Sequence, residues 1–477
     1  MSYETAVAKM FALGHELTQL PSHKFDLAHM RVLLAALQNP EARFPGVLIA
    51  GTNGKGSTAA TLASILCASG LKTGLYTSPH LVHINERIRV NGEEIGDDVF
   101  ASLHREVDEI AERLVDRGEL PWHPSFFEMM TAIAFAYFSR EKIDLAVLEV
   151  GMGGRLDATN VIEPRVSVIT DISLDHQRYL GDTVAEIARE KAGIIRAGGA
   201  VVTLPQQPEA NDVIGNTILD LEARAVNAVP YVPPVSPGSP VYTGCATEGS
   251  AVGGSEKFLT GKGTKEGAKF AQKGGEKCVY RYPLQVLGEQ ILVETSLVGR
   301  HQFRNLALAV AAAVELREQG FRGITPKAIE GGIRETRWPG RFQVIGARAG
   351  WPEIVIDVAH NPAGAWALRS ALSERYEGRR LIFVFGAMRD KAISEMAEIL
   401  FPLAERVVAT QPRNPRAASP EEIRQAAQRT GAEIEAAVNV ENALQRAREL
   451  AGTESVMVIT GSIYLVGEVM LLVGAET

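Results

Sequence analysis

A glycine-rich segment between a buried strand and a helix constrains the fold of this chain more than any other stretch. Residues 47–50 form an apolar run with the length of a buried parallel strand, and a helical pattern follows the segment as far as Gly70. Glycines let the backbone bring its N–H groups close to a phosphate, and the start of a helix adds unpaired N–H groups and the positive end of a dipole. The segment consists of Gly51, Thr52, Asn53, Gly54, Lys55, Gly56, Ser57 and Thr58. It predicts a binding site for the phosphates of a nucleoside triphosphate.

The side chains of this loop support the same prediction, although their spacing is unusual. Lys55 supplies a point charge for the outer phosphates, and Ser57 or Thr58 offers a hydroxyl near Mg²⁺. In the common pattern G-x-x-x-x-G-K-[ST], position 49 would be glycine but is Ile, and Gly56 here separates the lysine from the hydroxyl. The simpler alternative is a structural turn with a surface lysine. The succession of strand, glycines, lysine, hydroxyls and helix favours the nucleotide site.

Composition narrows the class of protein. A chain of 477 residues exceeds what one hydrophobic core usually supports, so two domains are expected. The net charge of −8 argues against a general nucleic-acid or membrane-surface binder. Three cysteines without metal-binding spacing and an N-terminus without an export signal indicate the cytoplasm. The most apolar stretch, 456–473, is interrupted by glycine, serine and glutamate, so we expect a strand followed by a helix rather than a membrane span.

Strands alternate with helices through the first two hundred residues. After a helix in the first twenty residues, the pattern predicts strands at 47–50, 73–77, 144–150, 165–170 and 200–204, with helices after Gly51–Thr58, from Asp97, from Ser125 to Phe138 and over 182–195. This alternation predicts an α/β fold with a doubly wound, mostly parallel sheet and right-handed crossovers. In such sheets ligands bind beyond the carboxyl ends of the strands.

A change of composition separates this sheet from a second unit. Residues 233–277 are rich in Gly, Ser, Lys and Thr, which is typical of a flexible insertion. A basic patch that binds nucleic acid is the more specific alternative, and we favour it less. Residues 280–298 alternate as short strands that close the first domain. From 299 onward, helices and strands alternate again as a smaller Rossmann-like α/β unit without a phosphate loop of its own. We therefore expect an ATP-binding domain at 1–298 and a C-terminal domain at 299–477.

Three polar side chains follow three predicted strands of the first sheet. Ser78 follows the second strand, Glu149 ends the third, and His176 follows the fourth. A hydroxyl and a carboxylate suit Mg²⁺, and one imidazole is unusual but possible. Taken singly, each has a structural alternative as a turn serine, a loop acid or a buried histidine. Their convergence on one sheet edge, next to the phosphate loop, favours a magnesium site.

Several segments resemble the folylpolyglutamate synthase/dihydrofolate synthase family of the Mur ligase superfamily. Residues 51–58 look like its phosphate loop, and 148–160 (Leu-Glu-Val-Gly-Met-Gly-Gly-Arg-Leu-Asp-Ala-Thr-Asn) like its second signature. Residues 77–81 and 174–176 match its other metal-site segments. The resemblance implies that Ser78, Glu149 and His176 bind magnesium, which would bridge ATP oxygens during phosphoryl transfer.

The same resemblance implies a role for a lysine to which the sequence alone would assign none. Residues 190–193, Glu-Lys-Ala-Gly, are similar to the family segment whose lysine is carbamylated. On its own, Lys191 is a helix-end lysine, which commonly compensates the helix dipole. Addition of CO₂ requires an uncharged amine, so a carbamate at Lys191 requires burial.

The second unit contributes three further segments that look like family motifs. Trp338-Pro-Gly-Arg341 is a rigid turn presenting an arginine suited to phosphate, or else a structural turn. Residues 356–362 place Asp357 and His360 where a strand gives way to a helix. Residues 301–305 lie at the domain junction. The resemblance assigns Asn305, Arg341, Asp357 and His360 to the nucleotide and catalytic side of a cleft between the domains.

The phosphate loop alone would serve a kinase, an ATPase or a ligase, and the resemblance selects the ligase. It implies that a dihydropteroate or reduced folate carboxylate attacks ATP to form an acyl phosphate, and that the amine of L-glutamate then forms an amide. We expect both substrates to be used, by a monomer, with residues 85–92 and 125–128 as candidate walls for the pterin. One alternative is a cell-wall Mur ligase, which usually has an extra N-terminal domain, whereas only residues 1–50 precede the loop here. The other is a nucleotide-binding module without chemistry.

Overall fold

The apolar strand that precedes the glycine loop lies near the middle of an eight-stranded sheet. In the computed structural model, which describes residues 1–14, 27–233, 242–246, 277–348, 350–452 and 454–475, this sheet has the order β4-β3-β2-β5-β1-β6-β7-β8. Its strands are β1 Gly46–Ala50, β2 Thr73–Tyr76, β3 Ile88–Val90, β4 Glu93–Glu94, β5 Leu145–Glu149, β6 Pro164–Ile169, β7 Ala200–Thr203 and β8 Arg224–Asn227. All pairs are parallel except β2-β3 and β3-β4. The carboxyl ends of β1, β2, β5 and β6 therefore meet at one edge.

Helices cover both faces of this sheet, which is why its central strands are buried along their whole length. The helices are α1 Tyr3–Ala12, α2 Leu27–Ala36, α3 Lys55–Ala68, α4 Asp97–Asp116, α5 Phe126–Glu141, α6 Gln177–Leu180, α7 Val184–Ala192 and α8 Pro208–Asp220. One core contains the inner side of α3, and a second contains α4 and α5. Ser125 caps α5 through a reciprocal pair of hydrogen bonds with Glu128, so the first turn of this helix is fixed.

The chain between the two large sheets packs on the first of them. Strands β9 Tyr242–Ala246, β10 Lys277–Val286 and β11 Glu289–Thr295 form an antiparallel three-stranded sheet. Helices α9 Arg300–Glu318 and α10 Pro326–Glu335 follow, and both pack against α3. Helices α9 and α10, which precede the last sheet in the chain, are thus in contact with the phosphate-loop helix α3.

A six-stranded sheet forms the rest of the molecule, in the order β12-β13-β17-β14-β15-β16. Its strands are β12 Gln343–Ile345, β13 Glu353–Ile356, β14 Leu381–Phe385, β15 Arg406–Ala409, β16 Ile434–Ala436 and β17 Val456–Thr460, with only β12 antiparallel. The helices around it are α11 Pro362–Arg375, α12 Ile393–Leu400, α13 Pro420–Ala426, α14 Val440–Ala451 and α15 Ile463–Val473.

The predicted fold class is confirmed, since a large, mostly parallel sheet precedes a smaller α/β unit. The buried strands lie within a residue or two of their predicted positions. The sequence did not indicate the short strands β3, β4, β8, β9, β12 and β16, or the helices α2, α6, α8, α10 and α14. The first helix covers Tyr3–Ala12, while residues 15–26 lie outside the described part. Most of the predicted insertion at 233–277 also lies outside it. No helix in the described ranges is long and apolar enough to cross a bilayer.

Candidate active site

The phosphate loop turns sharply between β1 and α3. Gly54 caps α3 in the left-handed conformation, with φ of 87°, and its carbonyl accepts the N–H of Thr58 at 2.9 Å. The N–H groups of Thr52 and Asn53 both donate to the carbonyl of Asp171, at 2.8 and 3.1 Å. Those two residues therefore brace the loop. The N–H groups of residues 55–57, in the first turn of α3, have no acceptor within the helix and are the ones available to a phosphate.

The loop is packed tightly against the segments that follow residue 299. A side chain at Gly54 would place its Cβ 2.2 Å from the Asn305 amide oxygen, and one at Gly56 would lie 2.7 Å from the Trp338 ring. Of the two hydroxyls, that of Thr58 donates to the Asn305 carbonyl at 3.4 Å, whereas Ser57 lines the cavity above the loop. Ser57 is therefore the hydroxyl that can reach a ligand.

Ser78, Glu149 and His176 line the same cavity as Lys55. The Ser78 N–H donates to Glu149 Oε2 at 3.2 Å. Burial raises the pKa of Glu149, while the charges of Lys55 and Arg341 and the Ser78 N–H oppose that rise. Burial, with the nearby charge of Lys391, lowers the pKa of His176 to about 3. The imidazole is thus neutral at physiological pH and keeps a lone pair for a ligand.

This donor set fits a magnesium ion that also binds the oxygens of a nucleotide. It supplies a hydroxyl, a buried carboxylate and a neutral imidazole, and Mg²⁺ usually takes few protein ligands together with phosphate oxygens and waters. Within the described ranges, no group of three or more His, Cys, Asp and Glu side chains is arranged to hold a metal by itself. The residues therefore suit a metal that arrives with its nucleotide.

Lys191 lies beneath the phosphate loop. Its side chain is buried, and its ammonium nitrogen Nζ is 2.7 Å from the Gly51 carbonyl oxygen. Burial and the charge of Lys55 lower the pKa of Lys191 to about 7, against the opposing effect of Asp175 and Asp157. A large fraction of this amine is therefore uncharged near neutral pH, which is the condition that a carbamate requires.

The C-terminal sheet brings Arg341, Asp357 and His360 to the other wall of the cavity. The Asp357 carboxylate accepts the N–H groups of Phe342 and Ala359 at 2.9 and 2.8 Å, which fixes the turn that carries Arg341. Burial raises the pKa of Asp357 and lowers that of Arg341. His360 Nδ1 is 3.0 Å from the Val358 carbonyl oxygen, which can only accept a hydrogen bond, so Nδ1 carries a proton, while Nε2 faces the Asp175 carboxylate.

A carboxylate that the sequence did not single out connects the two walls. Asp175 Oδ1 is 2.6 Å from Lys391 Nζ, and Asp175 Oδ2 is 3.1 Å from Asn361 Nδ2 and 3.7 Å from His360 Nε2. Asn361 Nδ2 also donates to Asn53 Oδ1 at 3.0 Å. Burial alone would raise the pKa of Asp175, but His360, His176 and Lys391 hold it well below its usual range. Proximity of Asp175 to the predicted ligand His176 was the only sequence signal for it.

One cavity of about 350 Å³ joins the phosphate loop, the three candidate magnesium ligands, Lys191, Asp175 and the C-terminal wall. Beyond the phosphate loop it becomes apolar, and the apolar part of its wall includes Leu13, Leu27, Met30, Phe126, Phe127, Met152 and Leu156. Residues 125–128, a predicted wall, lie on it. Residues 85–92 lie one layer behind, since the Arg87 guanidinium rests 5.1 Å from the centre of the Phe126 ring. The cavity can thus hold a charged nucleotide and a flat apolar group together.

Comparison with known proteins relates this arrangement to a family. Residues 340–463 match the model of the Mur ligase glutamate ligase domain. The chain is 32% identical over 447 residues to the dihydrofolate synthase/folylpolyglutamate synthase of Bacillus subtilis, covering 94% of each chain. It superposes with a TM-score of 0.80 and 31% identity on Mycobacterium tuberculosis folylpolyglutamate synthase complexed with ADP and AMPPCP, over 99% of each chain. For the E. coli enzyme in complex with DHPP and ADP, the TM-score is 0.76 at 27% identity, over 99% and 98% of the two chains.

Proposed function

The chain belongs to the dihydrofolate synthase/folylpolyglutamate synthase family of the Mur ligase superfamily, and we propose that its cavity joins L-glutamate to a pteroate or folate carboxylate. The enzyme is an ATP-dependent carboxylate–amine ligase. One observation supports the proposal above the others: a single cavity combines a phosphate loop, a cationic wall from the C-terminal sheet and an apolar extension. A kinase or simple ATPase has no need of all three.

In the first step, the substrate carboxylate attacks the γ-phosphorus of ATP, the bond to the ADP oxygen breaks, and an acyl phosphate forms. Lys55 and the free N–H groups of residues 55–57 hold the phosphates on one side, and Arg341 neutralises charge from the other. Ser78, Glu149 and His176 would hold Mg²⁺, which would neutralise charge on the phosphate oxygens when bound. Asn305 and Asp357 contribute to the nucleotide site, the latter by fixing the turn of Arg341.

In the second step, the glutamate amine attacks the acyl carbonyl and phosphate leaves. The ammonium must first lose a proton, and Nε2 of His360 is placed to accept it because Nδ1 is engaged by Val358. Asp175 would hold the ammonium beside His360, and Lys391, 2.6 Å from Asp175, would attract the adjacent α-carboxylate. Lys191, as a carbamate, would orient the phosphate loop from below through its contact with Gly51.

The apolar extension of the cavity is the proposed site for the pteridine and aminobenzoyl rings. Phe126, Phe127 and Met152 offer flat and polarisable contacts for such rings. Dihydropteroate and a reduced folate share this part and differ in the glutamate tail, which leads towards the phosphate loop. We therefore propose both dihydrofolate synthase and folylpolyglutamate synthase activity.

The organisation of the molecule adds three proposals. We propose a division into an ATP-binding domain and a C-terminal ligase domain. The sequence pattern places the boundary at 299, whereas the packing of α9 and α10 on α3 favours grouping these two helices with the first sheet. The net charge of −8 supports a protein that binds small molecules rather than nucleic acid. We propose that it acts as a cytoplasmic monomer.

Release of ADP in the presence of Mg-ATP and L-glutamate tests the function. We expect stimulation by dihydropteroate and by tetrahydrofolate, with the glutamylated products visible by mass spectrometry, and no stimulation by a UDP-muramoyl substrate. ADP release without any added carboxylate would instead identify a hydrolase. Stimulation by neither pteridine would remove the proposed function.

A further inference from the structure

Two of the three cysteines of the chain occupy opposite positions in the three-stranded sheet. In the register of β9 and β10, Cys245 is the direct Cα partner of Cys278, and the antiparallel pairing continues to Arg281. Residues 246–277 separate the two cysteines in sequence, so only the folding of the sheet brings them together. Such a pairing is not expected by chance in a chain with so few cysteines.

Directly opposite positions of an antiparallel pair have the backbone spacing that a disulfide bond requires. Their Cα atoms lie about 4.5 or 5.5 Å apart, depending on whether the two residues exchange hydrogen bonds. A disulfide bond accepts Cα–Cα distances of about 4.4–6.8 Å. The backbone of β9 and β10 therefore needs no rearrangement to carry a bond between Cys245 and Cys278.

The other contacts of β10 fix its register in the sheet. This strand pairs with β11 from Tyr280 to Val286. The rings of Tyr280 and Tyr282 pack edge-on against Phe303 of α9, with ring centres 5.2 and 5.4 Å away. Both tyrosines are nearly completely buried. A slip of one residue would turn both rings to the opposite face of the sheet, so Cys278 keeps its place in the ladder.

We propose that Cys245 and Cys278 form a reversible disulfide bond with a low-molecular-weight disulfide such as glutathione disulfide as the oxidant. The thiolate of one cysteine attacks glutathione disulfide, forms a mixed disulfide and releases one glutathione thiolate. The thiolate of the opposite cysteine then attacks the protein sulfur of the mixed disulfide and releases the second glutathione thiolate. Two protein thiols are thus oxidised, their two protons pass to solvent, and one glutathione disulfide is reduced. Excess reduced glutathione reverses both steps.

The bond would stabilise the sheet on which α9 rests. It would close residues 245–278 into a loop and so restrict the unfolded chain, which favours the folded state. Phe303, which contacts β10, lies on α9 two residues before Asn305, and Asn305 packs against Gly54 of the phosphate loop. We therefore expect the oxidised protein to have a midpoint of thermal unfolding about 5 °C above that of the reduced protein.

Peptide mapping of the full-length protein tests the bond. The protein is equilibrated with mixtures of reduced and oxidised glutathione, blocked with N-ethylmaleimide, denatured and digested with trypsin. Trypsin places the three cysteines in separate peptides: Cys245 in 225–257, Cys278 in 278–281 and Cys67 in 56–72. In oxidising mixtures we expect most of the first two peptides to be linked to each other, with the third unlinked. Blocked thiols or glutathione adducts on both cysteines, without the linked peptide, would overturn the proposal.

A comparison with unfolded protein separates the role of the sheet from chance encounters of the thiols. The equilibrium constant for linking, measured against glutathione, should be about a hundredfold higher in buffer than in concentrated urea, where the strands are unpaired. Cys245→Ser should leave Cys278 as a glutathione adduct and make the unfolding midpoint independent of redox state. Cys67→Ser, on a cysteine of α3, should change neither property. Equal constants in buffer and urea, or equal midpoints for oxidised and reduced wild type, would overturn the proposal.

Discussion

Lys191 illustrates how burial changes the chemistry of one side chain. Its Nζ has one hydrogen-bond acceptor, the Gly51 carbonyl at 2.7 Å, and its pKa is lowered to about 7. An unfolded chain keeps this proton up to about pH 10. The unfolded state therefore binds more protons between pH 7 and 10, so the cost of burying Lys191 falls and the free energy of unfolding rises as pH rises through that window.

The same pKa governs how fast CO₂ can add to Lys191. In enzyme stripped of CO₂ and returned to a fixed CO₂ pressure, we expect reactivation about tenfold faster at pH 8 than at pH 6, since only the uncharged amine reacts. Recovery is followed by glutamate-dependent ADP release. Lys191→Met should lose activity by orders of magnitude and show no response to CO₂. Activity that is independent of CO₂ in the wild type would exclude the carbamate.

Gly54 shows a second residue-scale requirement, the absence of a side chain. Its φ of 87° and the 2.2 Å approach of the Asn305 amide oxygen both exclude a Cβ. We expect Gly54→Ala to raise the dissociation constant for AMPPCP more than a hundredfold, because the loop must move away from α9. Gly70→Ala is the control, since Gly70 has φ of 82° with nothing within 4 Å of a Cβ. The control should lose about 1–2 kcal/mol of stability from its backbone conformation while keeping nucleotide affinity. Equal affinities in the two variants would contradict this role of Asn305.

The candidate site could be predicted from sequence only where its residues form local motifs. Lys55, Glu149 and Arg341 stand in runs whose glycines and turns mark them, and the structure brings all three to one cavity. Lys391 lacks such neighbours, and Asp175 entered the sequence analysis only as the neighbour of His176. Their importance comes from partners such as the Asp175–Lys391 pair, 216 residues apart in the chain. Periodicity and spacing carry no information about contacts of that range.

At the scale of elements, α7 and the connection between β5 and β6 are joined by one arginine. Arg196 donates to the carbonyls of Asn160 and Ile162 at 3.1 and 2.9 Å, and to those of Ile194 and Gly193 at 3.3 and 3.5 Å. This connection fixes the C-terminal end of α7, which carries Lys191.

Arg196→Met should therefore lower the free energy of unfolding by about 3 kcal/mol, because several carbonyls lose their donor together. Urea denaturation monitored by circular dichroism measures the change. Arg189→Met, on an exposed residue of the same helix, should change stability by less than about 0.5 kcal/mol. A similar small change for both variants would show that solvent replaces Arg196 without loss.

The elements predicted well are those whose burial is complete. Strands β1, β5, β14 and β17 are buried at every position, and each is an apolar run, which ends in Glu149 in β5 and in Thr460 in β17. Strand β4 has two residues, and β8 has three exposed positions out of four, so neither carries a periodic signal. Their pairing depends on a neighbouring strand rather than on their own sequence.

For the whole molecule, the Asp175–Lys391 pair connects the first sheet to the C-terminal sheet across the cavity. Both side chains are nearly buried, at 7% and 8% exposure, and Nζ is 2.6 Å from Oδ1. The pKa of Asp175 lies below its usual range. The stabilisation from this carboxylate is therefore complete above the unfolded-state pKa of about 3.9 and is lost only as pH falls through the lower native value. The contact that this pair makes between the two sheets should therefore not change between pH 5 and 8.

Lys391→Met leaves the Asp175 carboxylate buried without its main partner, which we expect to destabilise the closed arrangement by about 3 kcal/mol. The variant should have a larger radius of gyration by small-angle X-ray scattering than the wild type, both with AMPPCP bound. Adding Asp175→Asn should recover part of the loss, with a coupling of about 1–3 kcal/mol in a double-mutant cycle on urea stability. The exposed pair of Arg380 and Glu405 provides the control, since Arg380→Met should leave the scattering unchanged. Additive effects of the two substitutions would mean that the cavity is closed by the packing of Gly54 and Gly56 against Asn305 and Trp338 instead.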